Sequence, residues 1–306
     1  MINQDRVFIN DVGPRDGLQN QKVLVSVTDR FSLIQKLADA KLSGIEVGAF
    51  VSPKAVPAMA GTDQLFRQLG TESRRQDLTY SALIPNQKGF QLATVAGART
   101  VSLVVAASDT MNQKNIGMST QSALAVCKQI IAASADTNVK VQVYLATAWA
   151  CPFEGQMSES SVLSVASELF SLGANNLVIA DTIGAAHPKQ VVSLMKQLSS
   201  IKSAEHFACH FHDTRAMGLA NVYAAVECGI RHFDASIAGL GGCPFAPGAS
   251  GNVATEDVVF MCEQMGLDSG VDLKRLVVAA EFAMKIAPSA QGGNALGYIK
   301  QFIKED

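Results

Sequence analysis

The sequence predicts a (β/α)8 TIM barrel of the α/β class, on three observations. Eight apolar runs of strand length alternate with amphipathic segments of helical length. The units recur about every 25 to 40 residues, and a barrel of this kind takes about 250 residues. Residue types that carry chemistry also fall at the C-terminal ends of the runs, the rim where barrel enzymes place their sites.

The first strand is read over 7–13 (VFINDVG), followed by a helix over 28–41. GIEVGAF (44–50) is the second strand, with helical material near 53–69, and LTYSALI (78–84) is the third, with a helix opening near Asn86. TVSLVVAAS (100–108) and VKVQVYLATAW (139–149) are the fourth and fifth, followed by helices near 120–135 and 158–172. NNLVIADT (175–182) is the sixth, with a helix over 188–199, and HFACHFHD (206–213) the seventh, with a helix near 216–228. HFDASIAGL (232–240) is the eighth, followed by a glycine-rich loop and a helix near 254–265. The runs are apolar on both faces, as parallel strands are when helices cover one face and a filled barrel interior the other.

One domain is expected over 1–306, with the barrel over about 5–268 and a C-terminal helical extension over about 270–306 packed outside it. No Pro/Ser linker or low-complexity stretch divides the chain. The rival fold, an open doubly wound sheet, lacks its G-x-G-x-x-G fingerprint after the first strand.

A net charge of -2 and a pI near 6.2 offer no electrostatic footprint for nucleic acid. The N-terminal MINQDRVFIND lacks the basic and apolar regions of a signal peptide, and no uncharged apolar run is long enough for a membrane span. The six cysteines are scattered without a C-x-x-C pair, so neither a disulfide framework nor a thiolate zinc site is expected, and a reducing cytoplasm fits best.

CHFHDTR (209–215) holds two of the chain's five histidines. Side chains in a strand alternate faces, so His210 and His212 point the same way and can reach one cation. Closure of the barrel would bring Asp16, after the first strand, to the same rim, with the amide oxygen of Asn252 from the loop after the eighth. A donor set of Asp16, His210, His212 and Asn252, with no thiolate, suits Mg²⁺ or Mn²⁺ better than structural zinc. The bland alternative is a pair of hydrogen-bonded structural imidazoles. Asp213 is read as capping the following helix rather than as a ligand.

VGPRDGLQNQ, IEVGAFVSPKAVPAM, IADTIG, CHFHDTRAMGLAN and AGLGGCPFAPGASGNVATED, in this order, resemble the 3-hydroxy-3-methylglutaryl-CoA lyase family, over about residues 7–290. The resemblance implies metal-dependent cleavage of a 3-hydroxy-3-methylglutaryl thioester to acetyl-CoA and acetoacetate, in the setting of leucine breakdown or ketone-body formation. Four departures stand out. Gln21 replaces an acidic residue, Arg215-Ala216 a Tyr-Gly pair, Gly48-Ala49 a Thr-Ser pair, and Ser108-Asp109 a Ser-Glu pair.

The chemistry is a retro-Claisen cleavage, and each step asks for a group. Asp16 or His210 would take the proton of the 3-hydroxyl. Arg15 would stabilise the thioester enolate, with Glu46 or Asp181 as its structural partner and Glu46 holding it in place. Cys243, in the glycine-rich loop, would close over substrate and protonate the enolate carbon. The catalytic assignments are thus Arg15, Asp16, Glu46, Asp181, His210 and Cys243, with Arg15, Ser108 and Thr182 binding substrate. Lys54, Lys88 and Lys114 are candidates for the CoA diphosphate by position. The expected partners are an acyl-CoA substrate and further copies of the chain, in a homo-oligomer such as a dimer, with neither nucleic acid nor membrane. The alternatives are a lyase for a longer 3-alkyl branch, a Claisen-type synthase, and a non-catalytic acyl-CoA-binding barrel.

Overall fold

The computed structural model describes residues 6–71, 77–242 and 251–303. The first four strands are β1 (Phe8–Asp11), β2 (Gly44–Ala49), β3 (Thr79–Leu83) and β4 (Thr100–Ala106). β5 (Lys140–Ala146) is followed by a hairpin of β6 (Ala150–Cys151) and β7 (Gly155–Gln156), then by β8 (Leu177–Asp181), β9 (Phe207–Phe211) and β10 (His232–Ala235). Eight of these close into a parallel barrel in the order β1, β10, β9, β8, β5, β4, β3, β2, as the alternating pattern predicts.

The helices are α1 (Val27–Asp39), α2 (Thr62–Thr71), α3 (Gln87–Ala96), α4 (Asp109–Ile116), α5 (Thr120–Ser134) and α6 (Glu159–Ser171), then α7 (Pro188–Ile201), α8 (Gly218–Glu227), α9 (Thr255–Gln264), α10 (Leu273–Ile286) and α11 (Leu296–Ile303). Several start where the sequence places a cap. The side chains of Ser26, Asn86, Ser119 and Ser158 each accept the N–H three residues on.

Strand alternation divides the buried side chains. Ile45 and Val47 of β2, Ile179 of β8, and Cys209 and Phe211 of β9 belong to one continuous core cluster between barrel and helices. The alternate residues turn inward, and the interior they form is more polar than the filled apolar one expected. Asn10, Ser81, Gln142 and Asp234 line a cavity of about 320 Å³ at the N-terminal mouth. Asn10 and Asp234 are tolerated there because they are hydrogen-bonded: Asn10 Nδ2 and the Tyr144 hydroxyl both donate to the Asp234 carboxylate, at 2.8 and 2.6 Å.

The barrel strands end earlier than the apolar runs suggest, in three cases for a visible reason. β5 stops before Thr147, at φ 55°, and β10 before a short 3₁₀ turn containing Ala238, at φ 56°. β1 stops at Asp11 because 13–17 form a π-helical turn, which carries Arg15 and Asp16. Two elements have no counterpart in the pattern. α4 (DTMNQKNI) buries only Met111 and Asn112 and so shows no apolar stripe, and the β6–β7 hairpin pairs only two residues on each side.

In the C-terminal extension, α10 lies against α1, with Leu276, Ala279, Ala280 and Ala283 buried and the Asp272 amide donating to the Ala40 carbonyl at 2.8 Å. Ahead of α11, the carboxylates of Glu256 and Asp257 accept the amides of Gly293, Asn294 and Ala295 at 2.7 to 2.8 Å. No helix among the described residues is long and apolar enough to cross a membrane. The five described cysteines are free thiols.

Candidate active site and metal centre

The Arg15–Asp16 turn is built by close packing. A Cβ at Gly13 would stand 2.7 Å from Asp11 Oδ1 and 2.9 Å from Ile237, so only glycine lets the turn lie against the segment after β10. The Asp11 carboxylate holds this corner, accepting the Gly13 amide at 2.8 Å and the Thr255 hydroxyl at 2.6 Å. Burial pushes the Asp11 carboxyl up to about 7, against those two hydrogen bonds.

That shift predicts a pH dependence of stability. An acid whose pKa rises on folding binds its proton more tightly in the folded state, so folding loses stability as pH rises from about 4 to about 7. Asp11→Asn removes the titration, and its stability relative to wild type should climb across that window by on the order of a few kcal/mol. Denaturant melts at a series of pH values measure it. Parallel curves for the two proteins would refute the assignment.

Arg15 is buried and shared between two acids. Its Nε donates to Glu46 Oε2 at 2.6 Å and its Nη1 to Asp16 Oδ1 at 2.7 Å. Burial alone would lower the guanidinium pKa, but the two carboxylates outweigh it and keep the group protonated. Glu46, which the sequence offered as a holder of Arg15, is bonded to it. For Asp16, burial again opposes ionisation, yet Arg15 and then the two imidazoles bring the carboxyl down to about 2.

Asp16, His210 and His212 each offer a ligand atom, and these atoms lie within 4.8 Å of one another. The imidazole centroids are 5.1 Å apart, with His212 Nε2 4.0 Å from Asp16 Oδ2. Asn252 joins them through an isolated antiparallel bridge to His212, and its Nδ2 donates to Asp16 Oδ2 at 2.9 Å and to the Leu240 carbonyl at 3.0 Å. Its Oδ1 and His212 Nδ1 are buried with no hydrogen-bond partner among the described residues. An orphaned amide oxygen beside an ionised carboxylate and two imidazoles fits a cation. Burial, and then the neighbouring His210, lower the His212 pKa to about 4, which keeps it neutral as a ligand must be. His210 is raised instead: burial opposes, but the bond from Nδ1 to Asp234 Oδ2, at 3.1 Å, outweighs it.

A cavity of about 170 Å³ opens over this cluster. Arg15, Asp16, His210 and His212 form its polar side, and Leu83, Val104, Met111 and Tyr144 an apolar wall. Thr182 lines it too, with its hydroxyl accepting the Thr147 amide at 2.8 Å.

Other expected site residues are placed differently. Ser108 is fully buried as the N-cap of α4, accepting the Met111 amide at 3.1 Å with Cys151 Sγ at 3.0 Å, so its hydroxyl is not open to substrate. Asp181 takes the amides of Ala185 and Ala186 at 2.8 and 3.0 Å, and Arg15 pairs with Glu46 instead. Arg215 is exposed and reaches the Ala185 carbonyl rather than the cluster. Asp213 caps as expected, accepting the amide of Gly218, the first residue of α8, at 2.7 Å. Lys54, Lys88 and Lys114 are exposed on the segments that follow β2, β3 and β4. Cys243 lies outside the described residues.

The Gly48 departure has a physical reason. A Cβ there would stand 2.5 Å from Thr62 Oγ1 and 2.8 Å from Arg30 Nη2. The buried Arg30 guanidinium fills that space, donating to the carbonyls of Ala58 and Ala60 at 3.1 and 2.9 Å. Sequence reasoning missed Asp11, Tyr144 and Asp234. Each is an acid or phenol inside an apolar strand run, and that interruption is the signal that could have found them.

A family model described as HMGL-like matches residues 6–283. This chain belongs to the HMGL-like family. A relative from Pseudomonas mevalonii named hydroxymethylglutaryl-CoA lyase is 42% identical over 289 residues, covering 94% of this chain and 93% of that one. The crystal structure of the Bacillus subtilis HMG-CoA lyase superposes with a TM-score of 0.92 at 39% identity, over 97% of this chain and 98% of that one. An HMG-CoA lyase from Acinetobacter baumannii, solved with coenzyme A and 3-methylmalate, gives 0.89 at 38% identity over 96% and 95%. The match of this HMGL-like chain thus spans both the turn that carries Arg15 and Asp16 and the strand that carries the histidines.

Proposed function

We propose that the chain is a carbon–carbon lyase that cleaves 3-hydroxy-3-methylglutaryl-CoA to acetyl-CoA and acetoacetate. The observation that carries this reading is the convergence of Asp16, His210 and His212 within 4.8 Å, with a protonated arginine bonded to the same aspartate. Asp16, His210, His212 and Asn252 would hold a Mg²⁺ or Mn²⁺ ion, which supplies Lewis acidity to the substrate's oxygens when bound.

The chain's own residues account for the rest. In the cleavage His210 or Asp16 takes the proton of the 3-hydroxyl, which becomes a carbonyl, the C2–C3 bonding pair moves to C2, and negative charge gathers on the thioester oxygen. Arg15 has Nε and Nη1 committed to Glu46 and Asp16, which leaves Nη2 to donate to that oxygen. The two acids also fix the guanidinium before substrate arrives, so little reorganisation is needed. Asp16, held at about 2, stays ionised as a ligand and is a weak proton acceptor. The apolar wall of Leu83, Val104 and Met111 suits the methyl branch at C3. Protonation of C2 completes acetyl-CoA, and Cys243 is the donor in this reading because Gly242, its neighbour in sequence, lines the same cavity.

The deciding experiment is incubation with 3-hydroxy-3-methylglutaryl-CoA and Mg²⁺, following acetyl-CoA release with and without chelator. Release that the chelator abolishes is expected. No release with either Mg²⁺ or Mn²⁺ would end this reading.

A further inference from the structure

Asp234 sits on β10 between Phe233 and Ala235 and is 3% exposed. Three other strands send donors to its two oxygens. Asn10 Nδ2 from β1 donates to Oδ1 at 2.8 Å, the Tyr144 hydroxyl from β5 donates to Oδ2 at 2.6 Å, and His210 Nδ1 from β9 lies 3.1 Å from Oδ2. The rings of Tyr144 and His210 meet edge-on at 6.1 Å. A buried carboxylate persists when its lone pairs are met by donors in this way. With donors on both oxygens it is also held against rotation.

We propose that Asp234 is a positioning residue of the metal centre, holding His210 as the tautomer protonated on Nδ1 so that the Nε2 lone pair faces Asp16 and His212. This rests on the reading of Asp16, His210, His212 and Asn252 as cation ligands. A carboxylate only accepts, so the ring nitrogen that faces it carries the proton, and in a neutral imidazole the other nitrogen is then bare. Hydrogen bonding of a ligand histidine to a carboxylate also raises its basicity and fixes its plane. Asp234 thereby ties the ligand on β9 to the cavity wall on β5, since the hydroxyl that anchors Tyr144 shares the oxygen that orients His210.

Two measurements test the proposal. In the protein labelled with [¹⁵N]histidine, His210 is expected to show a protonated Nδ1 and an unprotonated Nε2; a proton on Nε2 overturns the proposal. The isosteric Asp234→Asn variant, followed by Mn²⁺ electron paramagnetic resonance titration, is expected to lose about 10- to 100-fold in Mn²⁺ affinity while its thermal transition remains cooperative. Affinity within about threefold of wild type overturns it. His212→Ala, run alongside, separates the two readings. If it loses Mn²⁺ and Asp234→Asn does not, the positioning role fails and the metal centre stands; if neither changes, both fail. Should Asp234→Asn not fold, the wild-type tautomer decides alone.

Discussion

Arg15→Gln should lower kcat for 3-hydroxy-3-methylglutaryl-CoA by roughly two to three orders of magnitude, about 3 to 4 kcal/mol of transition-state stabilisation. The size follows from the timing of the charge. The thioester oxygen is neutral in the ground state and becomes anionic as the C2–C3 bond breaks, so a fixed cation acts almost wholly on the transition state. Glutamine keeps a donor but no charge, and it leaves Glu46 buried without the partner now 2.6 Å away. KM is therefore expected to move much less than kcat, and Mn²⁺ affinity only modestly, since Arg15 bonds Asp16 Oδ1 while Asn252 bonds Oδ2. Steady-state kinetics with a parallel Mn²⁺ titration provide the check. A variant retaining more than about a tenth of wild-type kcat would remove Arg15 from the chemistry.

The second large effect concerns the cation itself. His212→Ala should weaken Mn²⁺ binding by about 100-fold or more and abolish turnover at Mn²⁺ concentrations that saturate wild type. The imidazole is buried, its pKa is lowered to about 4, and its Nε2 lies 4.0 Å from Asp16 Oδ2. Unchanged metal affinity, read by isothermal titration calorimetry, would return His212 to the structural role that the sequence left open.

The barrel was legible because its strands and helices announce themselves locally. Fully buried strands such as LVIAD read as continuous apolar runs, and helix starts at Ser26, Asn86, Ser119 and Ser158 carry their own caps. α4 was not legible, and this had a consequence for the site: Ser108 is assigned to substrate binding by the sequence, whereas its hydroxyl is spent on capping that unseen helix. Asp234 was hidden for a related reason. One acid within HFDASIAGL looks like an interruption in a strand, and its meaning depends on Asn10, Tyr144 and His210, which come from three other strands.

What the amino-acid order determined by itself is the set of elements and the identity of the chemical groups, His210 and His212 on one face of a strand and Arg15 beside Asp16 in a glycine-bounded turn. These follow from interactions among near neighbours, which a linear pattern records. Only tertiary structure decided which bonds they make, Asn252 Nδ2 to Asp16 Oδ2 across 236 positions of chain at 2.9 Å and Arg15 Nε to Glu46 rather than to Asp181. Those contacts come from pairing β1 with β10 to shut the barrel, and the geometry of that closure is a property of all eight strands together.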